Sequence, residues 1–488
     1  MGGSVTRRSS RLQNAKASLT SPRKVASINI TPDRPIFYDD VKPIMTRTQN
    51  KAAAAKKIVK FFKHTKHTRK ANYLKTVYKS LCSDAGVCLA FGTLSEAIKE
   101  HFSGFTAFHY VKSPIKRIGA ESANGFISQI DYEHRDYKAS AILKSSKTPD
   151  ADNLLYEYVV GQYINKLNKY YPCFLETYGY YIYNDDKYWQ EMQKNTHIED
   201  IRILKDGLSQ QHYMDYNDAC REPSKLAILI QYFKGIVSLE KMSLNPYFIE
   251  NELMWALFQI YIPLAKLKNN FTHYDLHLEN IYLYKPMANK YIEFHYAISA
   301  TRFISFKSSY ILKIIDYGRS FFKDDNSGVN SKFIYENELC GAAADCNEPE
   351  LSGLCGQDVG FGWLRPNKAN PADNYYISSQ RKNISHDLLP LKRIYEAHSL
   401  PNLNLLTTEL SDLVKKVIYT EKYGTAEITD TGYPHNIYNV QDAAKFITEY
   451  VISTKFINKN NQVNATKEKL GDLYVYTDET PMKFVPST

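Results

Sequence analysis

The 488-residue chain has no uninterrupted apolar run of bilayer length, no apolar leader with a small-residue cleavage site, and only seven cysteines. Its longest apolar stretch, Leu253 to Leu267, is broken by Trp255, Gln259 and Pro263, and is too short and mixed for a transmembrane helix. The cysteines are odd in number and scattered, which excludes a secreted disulfide framework and points to free thiols in a reducing compartment. Cys340, Cys346 and Cys355 are separated by five and eight residues, too loose a pairing for a zinc clip that also lacks a fourth ligand. There is no internal repeat. Acid is nearly missing from residues 1–70, which carry three Asp against 17 Lys and Arg, so the +10 net charge belongs to an extension and the remainder is mildly acidic.

Residues 1–50 are rich in Ser, Thr, Arg and Pro and too poor in apolar groups to offset the entropy of ordering, so a disordered basic tail is expected over 1–70. Within it, "KAAAAKKIVKFFKHTKHTRK" (51–70) reads either as a basic amphipathic helix on an anionic membrane or as a solvated linker. A Lys-rich arm also suits nucleic acid, through phosphate neutralisation. The opening "MGGSVTRR" fits N-myristoylation at Gly2, with Thr6 in place and Arg7, Arg8 and Arg11 as the basic second signal. "RRSS" and "TSP" offer phosphorylation sites.

Beyond residue 70 the composition is globular, 43% hydrophobic and 23% charged overall. A helical extension is expected over 71–114. Over 115–235 the pattern predicts strands "IKRIGAESANGFISQIDY", "ASAILK", "CFLETYGYYIY" and "KLAILIQYF", with one helix after Pro149 and a polar surface insertion about 181–225. A linker near Phe233 to Ser238 leads into 236–488, expected to be mostly helical. Its clearest helix carries Leu253, Leu257, Ile260, Leu264 and Leu267 at 3–4 spacing and is expected to kink at Pro263. This order is α+β and bilobal, with a small β-rich N-lobe and a larger helical C-lobe.

The chemistry concentrates in "FTHYDLHLENIYLY", with His273, Asp275, His277 and Asn280 within eight positions. His273 and His277 stand four apart as in a helical zinc pair, but the strand-like "IYLY" and the lack of a third ligand oppose that reading. An Asp five residues before an Asn suits phosphoryl transfer: the Asp orients the attacking hydroxyl and the Asn oxygen ligates Mg²⁺. That reading demands a second metal-binding carboxylate, which "ILKIIDYGRSFF" supplies as Asp316 after a strand. It also demands a phosphate cation with an acidic partner, and Lys144 ends "AILK" thirteen residues before Glu157. Finally it demands a phosphate-covering loop, and "IGAESANGFI" places Gly119 and Gly125 around Ser122.

These pieces, in this order, resemble the protein kinase superfamily. "LCSDAGVCLAFG", "SANGFI", "AILKSS", "NLLYEYVVGQYIN", "THYDLHLENIYLYKP" and "ILKIIDYGRSFF" resemble the putative serine/threonine kinases of nucleocytoplasmic large DNA viruses, over about Leu81 to Asp387. The resemblance implies ATP and Mg²⁺ as cofactors, protein substrates, and a place in the host cytoplasm or virion. It implies Lys144 as phosphate cation, Glu157 as its partner, Asp275 as base, Asn280 and Asp316 as metal ligands, and Gly119, Ser122 and Gly125 as flap. Asp387 in "SHDLLPL" matches the buried aspartate that bonds the catalytic-loop backbone, although "DLLP" also reads as a helix cap.

The departures bear on substrate and control. The flap lacks the middle glycine. Tyr274 stands where many kinases have Arg, so control by loop phosphorylation is not expected. His277 replaces the usual Lys, a form shared with small-molecule kinases. Asp275 and Asp316 are 41 residues apart, with Tyr291 to Phe306 read as an inserted strand pair, and no A-P-E follows Gly318. The peptide-docking segment is then degenerate or rebuilt by "CGQDVGFGW". Three functions follow: a Ser/Thr protein kinase, a small-molecule kinase of the same superfamily, or a pseudokinase or virion protein acting through its basic tail.

Overall fold

The computed structural model describes residues 91–92, 94–119, 125–147, 154–211, 225–299, 302–336, 379, 382–398, 405–417, 436–476 and 480–487. The chain divides into units 1–67 and 68–488, and every described residue belongs to the second. The basic tail with Gly2, the 51–70 segment, Ser122, and the stretch holding Cys340, Cys346, Cys355 and "CGQDVGFGW" lie outside the described residues.

Helix α1 (Leu94–His101) precedes strands β1 (Val111–Ile118), β2 (Gly125–His134) and β3 (Tyr137–Ser146). Then come α2 (Leu154–Leu167), β4 (Thr177–Tyr183), α3 (Asp186–Lys194), β5 (His197–Ile198), α4 (Arg202–Gly207), β6 (Leu208–Gln211) and β7 (Leu226–Tyr232). The seven strands form one antiparallel sheet in the order β5-β1-β2-β3-β7-β4-β6. Period-two alternation divides β3: Ala141 and Leu143 are fully buried on the outer face, which turns Lys144 to the opposite face, toward α2.

The 181–225 stretch, read as a surface insertion, instead folds over that outer face. Met192, Ile198, Ile203 and Leu204 join the aromatic cluster of Phe102, Phe105 and Phe108 that closes the core beside Leu143 and Leu229. Its apolar residues are spaced by polar ones at amphipathic intervals, so the stretch looks polar although one side is buried. Residues 212–224 within it lie outside the described residues.

On the other side of the linker run β8 (Val237–Ser238), α5 (Leu239–Met242), α6 (Pro246–Asn251) and α7 (Leu253–Lys266). They are followed by β9 (Phe271–Thr272), β10 (Ile281–Tyr284), β11 (Lys290–Ser299), β12 (Arg302–Ser308), β13 (Ile311–Ile314), β14 (Phe321–Phe322) and α8 (Ser331–Glu336). The chain ends in α9 (Leu389–His398), α10 (Thr408–Lys415), α11 (Val440–Val451), α12 (Thr454–Val463), β15 (Glu468–Val475) and β16 (Lys483–Pro486). Helix α7 is buried along almost its whole length and continues past Pro263 to Lys266. Its buried Gln259 donates to the Tyr310 carbonyl and accepts from the Leu312 N–H, tying the helix to β13.

The C-terminal part is less helical than expected. β11 and β12 form the hairpin read from Tyr291 to Phe306, and β15 adds to β11 in parallel, giving a four-stranded sheet β12-β11-β15-β16. Gly471, Leu473 and Val475 face inward on β15, where a Cβ on Gly471 would come within 2.5 Å of the Phe484 ring. The three-stranded sheet β13-β10-β8 positions the site described next. Among the described residues no helix is long and apolar enough to cross a membrane.

Helix α2 is clasped to the sheet at Gly161, where an added Cβ would sit 2.3 Å from Thr177 Oγ1 and 2.8 Å from Thr177 Cβ. Helix propensity alone makes Gly161→Ala stabilising by about 1 kcal/mol. The clash makes it destabilising by roughly 1–3 kcal/mol, and a lowered urea midpoint at unchanged m-value is expected.

Candidate active site

Lys144 lies on the inward-facing row of β3, and its Nζ meets two carboxylates: Glu157 Oε2 at 2.6 Å and Asp316 Oδ1 at 3.3 Å. Glu157 is in the first turn of α2 and its side chain is 3% exposed, and the cation offsets the cost of burying its charge. Asp316 follows β13 and keeps 43% exposure, leaving its carboxylate open to a ligand. The Lys144 ammonium holds the Asp316 carboxyl below its ordinary range, against burial. Gly318 packs beside both acids, its would-be Cβ 3.6 Å from Asp316 Oδ1 and 3.8 Å from Glu157 Oε2.

The second cluster approaches from the helical side. β10 and β13 pair antiparallel with Ile281 opposite Ile314, which puts Asn280 and Asp316 at the same sheet end. The Ile315 N–H donates to the Asn280 carbonyl at 3.0 Å. The Asn280 amide Nδ2 donates to the Asp275 carbonyl at 2.9 Å, which leaves its Oδ1 as the atom a cation would take. Together with the Asp316 carboxylate this is an all-oxygen set, the chemistry a hard divalent ion prefers. Asp275 is 18% exposed, and His277 Nε2 lies 3.9 Å from its Oδ1.

His273 binds the two segments together rather than a metal. It is fully buried; Nδ1 faces the Asp275 N–H at 3.3 Å and Nε2 faces the Ile315 carbonyl at 2.8 Å. An acceptor at one nitrogen and a donor at the other is the neutral ring, and burial lowers its pKa in agreement. Both nitrogens are thereby spent, which removes the zinc-pair alternative. Asp387 anchors the same loop: Oδ2 accepts the His273 N–H at 2.8 Å and Oδ1 the Tyr274 N–H at 3.1 Å. It does not cap a helix. Burial pushes its carboxyl up to about 7 while the two N–H donors pull it back. Tyr274 and Asp316 both adopt φ of 65°, a left-handed conformation rare for a bulky residue and held here by these bonds.

Gly119 follows β1 at φ 78°, where glycine is favoured, and Gly125 opens β2. Ile127 on β2 pairs directly with Lys144, so Gly125, two residues before it, stands near the Lys144 end of the sheet. One participant escaped the sequence reading. Tyr156, beside Glu157, donates to the Ser320 carbonyl at 2.6 Å and its hydroxyl lies 2.8 Å from Ser331 Oγ, while Ser320 Oγ donates to the His273 carbonyl at 3.2 Å. A tyrosine in an apolar helix reads as core, and only its distant partners reveal the link.

Elsewhere among the described residues, Glu293, His295 and Asp472 group as metal-ligand types. Lys469 Nζ already lies 2.6 Å from Glu293 and 2.7 Å from Asp472, so an ammonium occupies that group.

No family profile matches the chain, and no curated protein does. A crystal structure of a kinase domain aligns at 15% identity and TM-score 0.25, over 48% of this chain and 60% of that one. WaaP in complex with acyl carrier protein aligns at 10% identity and TM-score 0.23, over 51% and 77%. The chain thus spans three fifths of the first of these, and the site geometry carries the functional argument that follows.

Because Lys144 depresses Asp316, the acid's small contribution to stability is present above the ordinary carboxylate range and is lost as pH falls below it. Lys144→Met is expected to raise the Asp316 midpoint in a carboxyl-carbon NMR titration; an unmoved midpoint would separate the two groups.

Proposed function

We propose that the chain is a protein-kinase-like phosphotransferase that moves the γ-phosphoryl group of ATP to Ser or Thr hydroxyls of basic protein segments, with Mg²⁺. The observation carrying this reading is that one ammonium, Lys144, holds two carboxylates 13 and 172 residues away in the chain, one buried and one open. A purely structural ion pair would leave no half-exposed acid beside a loop bearing a second acid and an oriented amide.

In this reading Lys144 binds phosphate oxygens and Glu157 keeps its ammonium in place. The Asn280 oxygen and the Asp316 carboxylate would hold Mg²⁺, which when bound neutralises charge on the phosphates. Asp275 accepts a hydrogen bond from the attacking hydroxyl and aligns it. The neutral His273 supports both acids by fixing the loop between Asp275 and Ile315. Next to them, Glu240 on α5 and Glu279 before Asn280 stand together, and burial with the neighbouring Glu279 carboxyl raises the Glu240 pKa. That acidic rim favours a cationic acceptor.

Purified protein incubated with γ-labelled ATP, Mg²⁺ and mixed basic peptides is expected to transfer label. Asp275→Asn or Asp316→Asn should cut transfer by roughly a hundredfold or more, and EDTA should abolish it. Transfer confined to small hydroxylated acceptors would replace the protein reading by a small-molecule kinase. Equal label incorporation by wild type and both variants would end the enzymatic reading.

A further inference from the structure

Helix α1 precedes the sheet, and one of its side chains reaches inward. Lys99 Nζ lies 3.2 Å from Glu176 Oε1 and 2.9 Å from Glu96 Oε1 on its own helix. Glu176 has a side chain only 5% exposed, at the start of β4. A carboxylate that deep is costly without a cation, and Lys99 is the one within ion-pair distance among the described residues. Burial works against the Lys99 ammonium, and Glu176 and Glu96 together raise it above its ordinary value.

Glu176 is also bonded to the last residues before the linker. Its carbonyl accepts the Gln231 N–H at 2.8 Å and its own N–H donates to Gln231 Oε1 at 3.4 Å. Two residues later Phe233 is buried with its ring 4.7 Å from that of Tyr284, the last residue of β10, whose first residue follows Asn280. Lys313, on β13 three residues before Asp316, is buried, donates to the Phe174 carbonyl at 3.1 Å and lies 5.3 Å from the Phe233 ring centroid. Burial lowers the Lys313 ammonium to about 8, with Cys173 and Glu176 holding it up. Glu176 therefore pairs with a lysine of α1 and stands two residues after Phe174, whose carbonyl holds a lysine of the strand that presents Asp316. Gly235, at φ 76° with open space around it, supplies the turn that follows.

We propose that Lys99 is a positioning residue: through Glu176 it fixes the Gln231–Phe233 end of the linker, and through Phe233 the β10 and β13 ends that carry Asn280 and Asp316. The role in transfer rests on the phosphotransferase reading; the bracing of the linker does not. The segment before the sheet is on this account part of the machinery that sets the cleft, and a ligand that pulls α1 away would loosen it.

The test uses the full chain as wild type, Lys99→Met, Lys99→Arg and Lys99→Met/Glu176→Gln. Amide hydrogen exchange at 231–236 and 281–284 should quicken by about tenfold in Lys99→Met, with α7 and α11 unchanged, and return to wild type in Lys99→Arg. The double variant removes the unpaired Glu176 carboxylate, so part of the lost thermal midpoint should return while the linker amides stay fast. In the transfer assay Lys99→Met should raise the KM for ATP by roughly fivefold with a smaller change in kcat. Unchanged linker exchange in Lys99→Met, or acceleration spread evenly over α7 and α11, would overturn the proposal. If wild type transfers no phosphate, the phosphotransferase reading fails by itself, and the exchange data still decide the brace.

Discussion

An ammonium between two carboxylates, one from α2 and one from the end of β13, is the constraint on which the rest of this structure turns. Glu157 is buried, and its 2.6 Å pair with Lys144 offsets the cost of burying a carboxylate. The strand that delivers Lys144 must therefore pack with the helix that delivers Glu157, and the Gly161 contact with Thr177 allows that helix to lie so close to the sheet. Asp316 then binds the same cation from the helical side at 3.3 Å. Each half of the fold contributes an anion to one positive charge, so the two halves are held in register by electrostatics as well as by the linker.

The helical half repeats the principle with hydrogen bonds instead of ions. Asp387, buried near α9, holds two successive backbone N–H groups of a loop that carries a left-handed Tyr274. His273 joins that loop to Ile315, and Asn280 joins it to Asp275. These internal bonds hold Asp275 and Asn280 at the sheet end where Asp316 stands, with part of Asp316 exposed. Orientation is thus prepaid by the fold, the requirement for a site that works by positioning and charge.

Much of this was legible because chemistry leaves short-range traces. The strand alternation ending in Lys144, the Asp275 to Asn280 spacing, and Asp316 after an apolar strand each required only local reading, and all three sit together in the structure. What was not legible depended on partners far away in sequence. The 181–225 stretch read as a polar surface insertion because Met192, Ile203 and Leu204 are few among polar residues, and only the sheet face they cover makes them core. β15 carries Glu468, Lys469 and Asp472 and becomes a strand by joining β11, a pairing across more than 170 residues. Tyr156 and Lys99 gave no local signal, since each matters through a group that another element brings to it.

The most direct measurement is a crystal structure of the protein with Mg²⁺ and a non-hydrolysable ATP analogue. The account predicts phosphate oxygens on Lys144 Nζ and a metal ion bridging them to Asp316 and the Asn280 oxygen, with Glu157 still paired to Lys144. A triphosphate bound elsewhere, or a metal that bypasses Asp316 and Asn280, would contradict it.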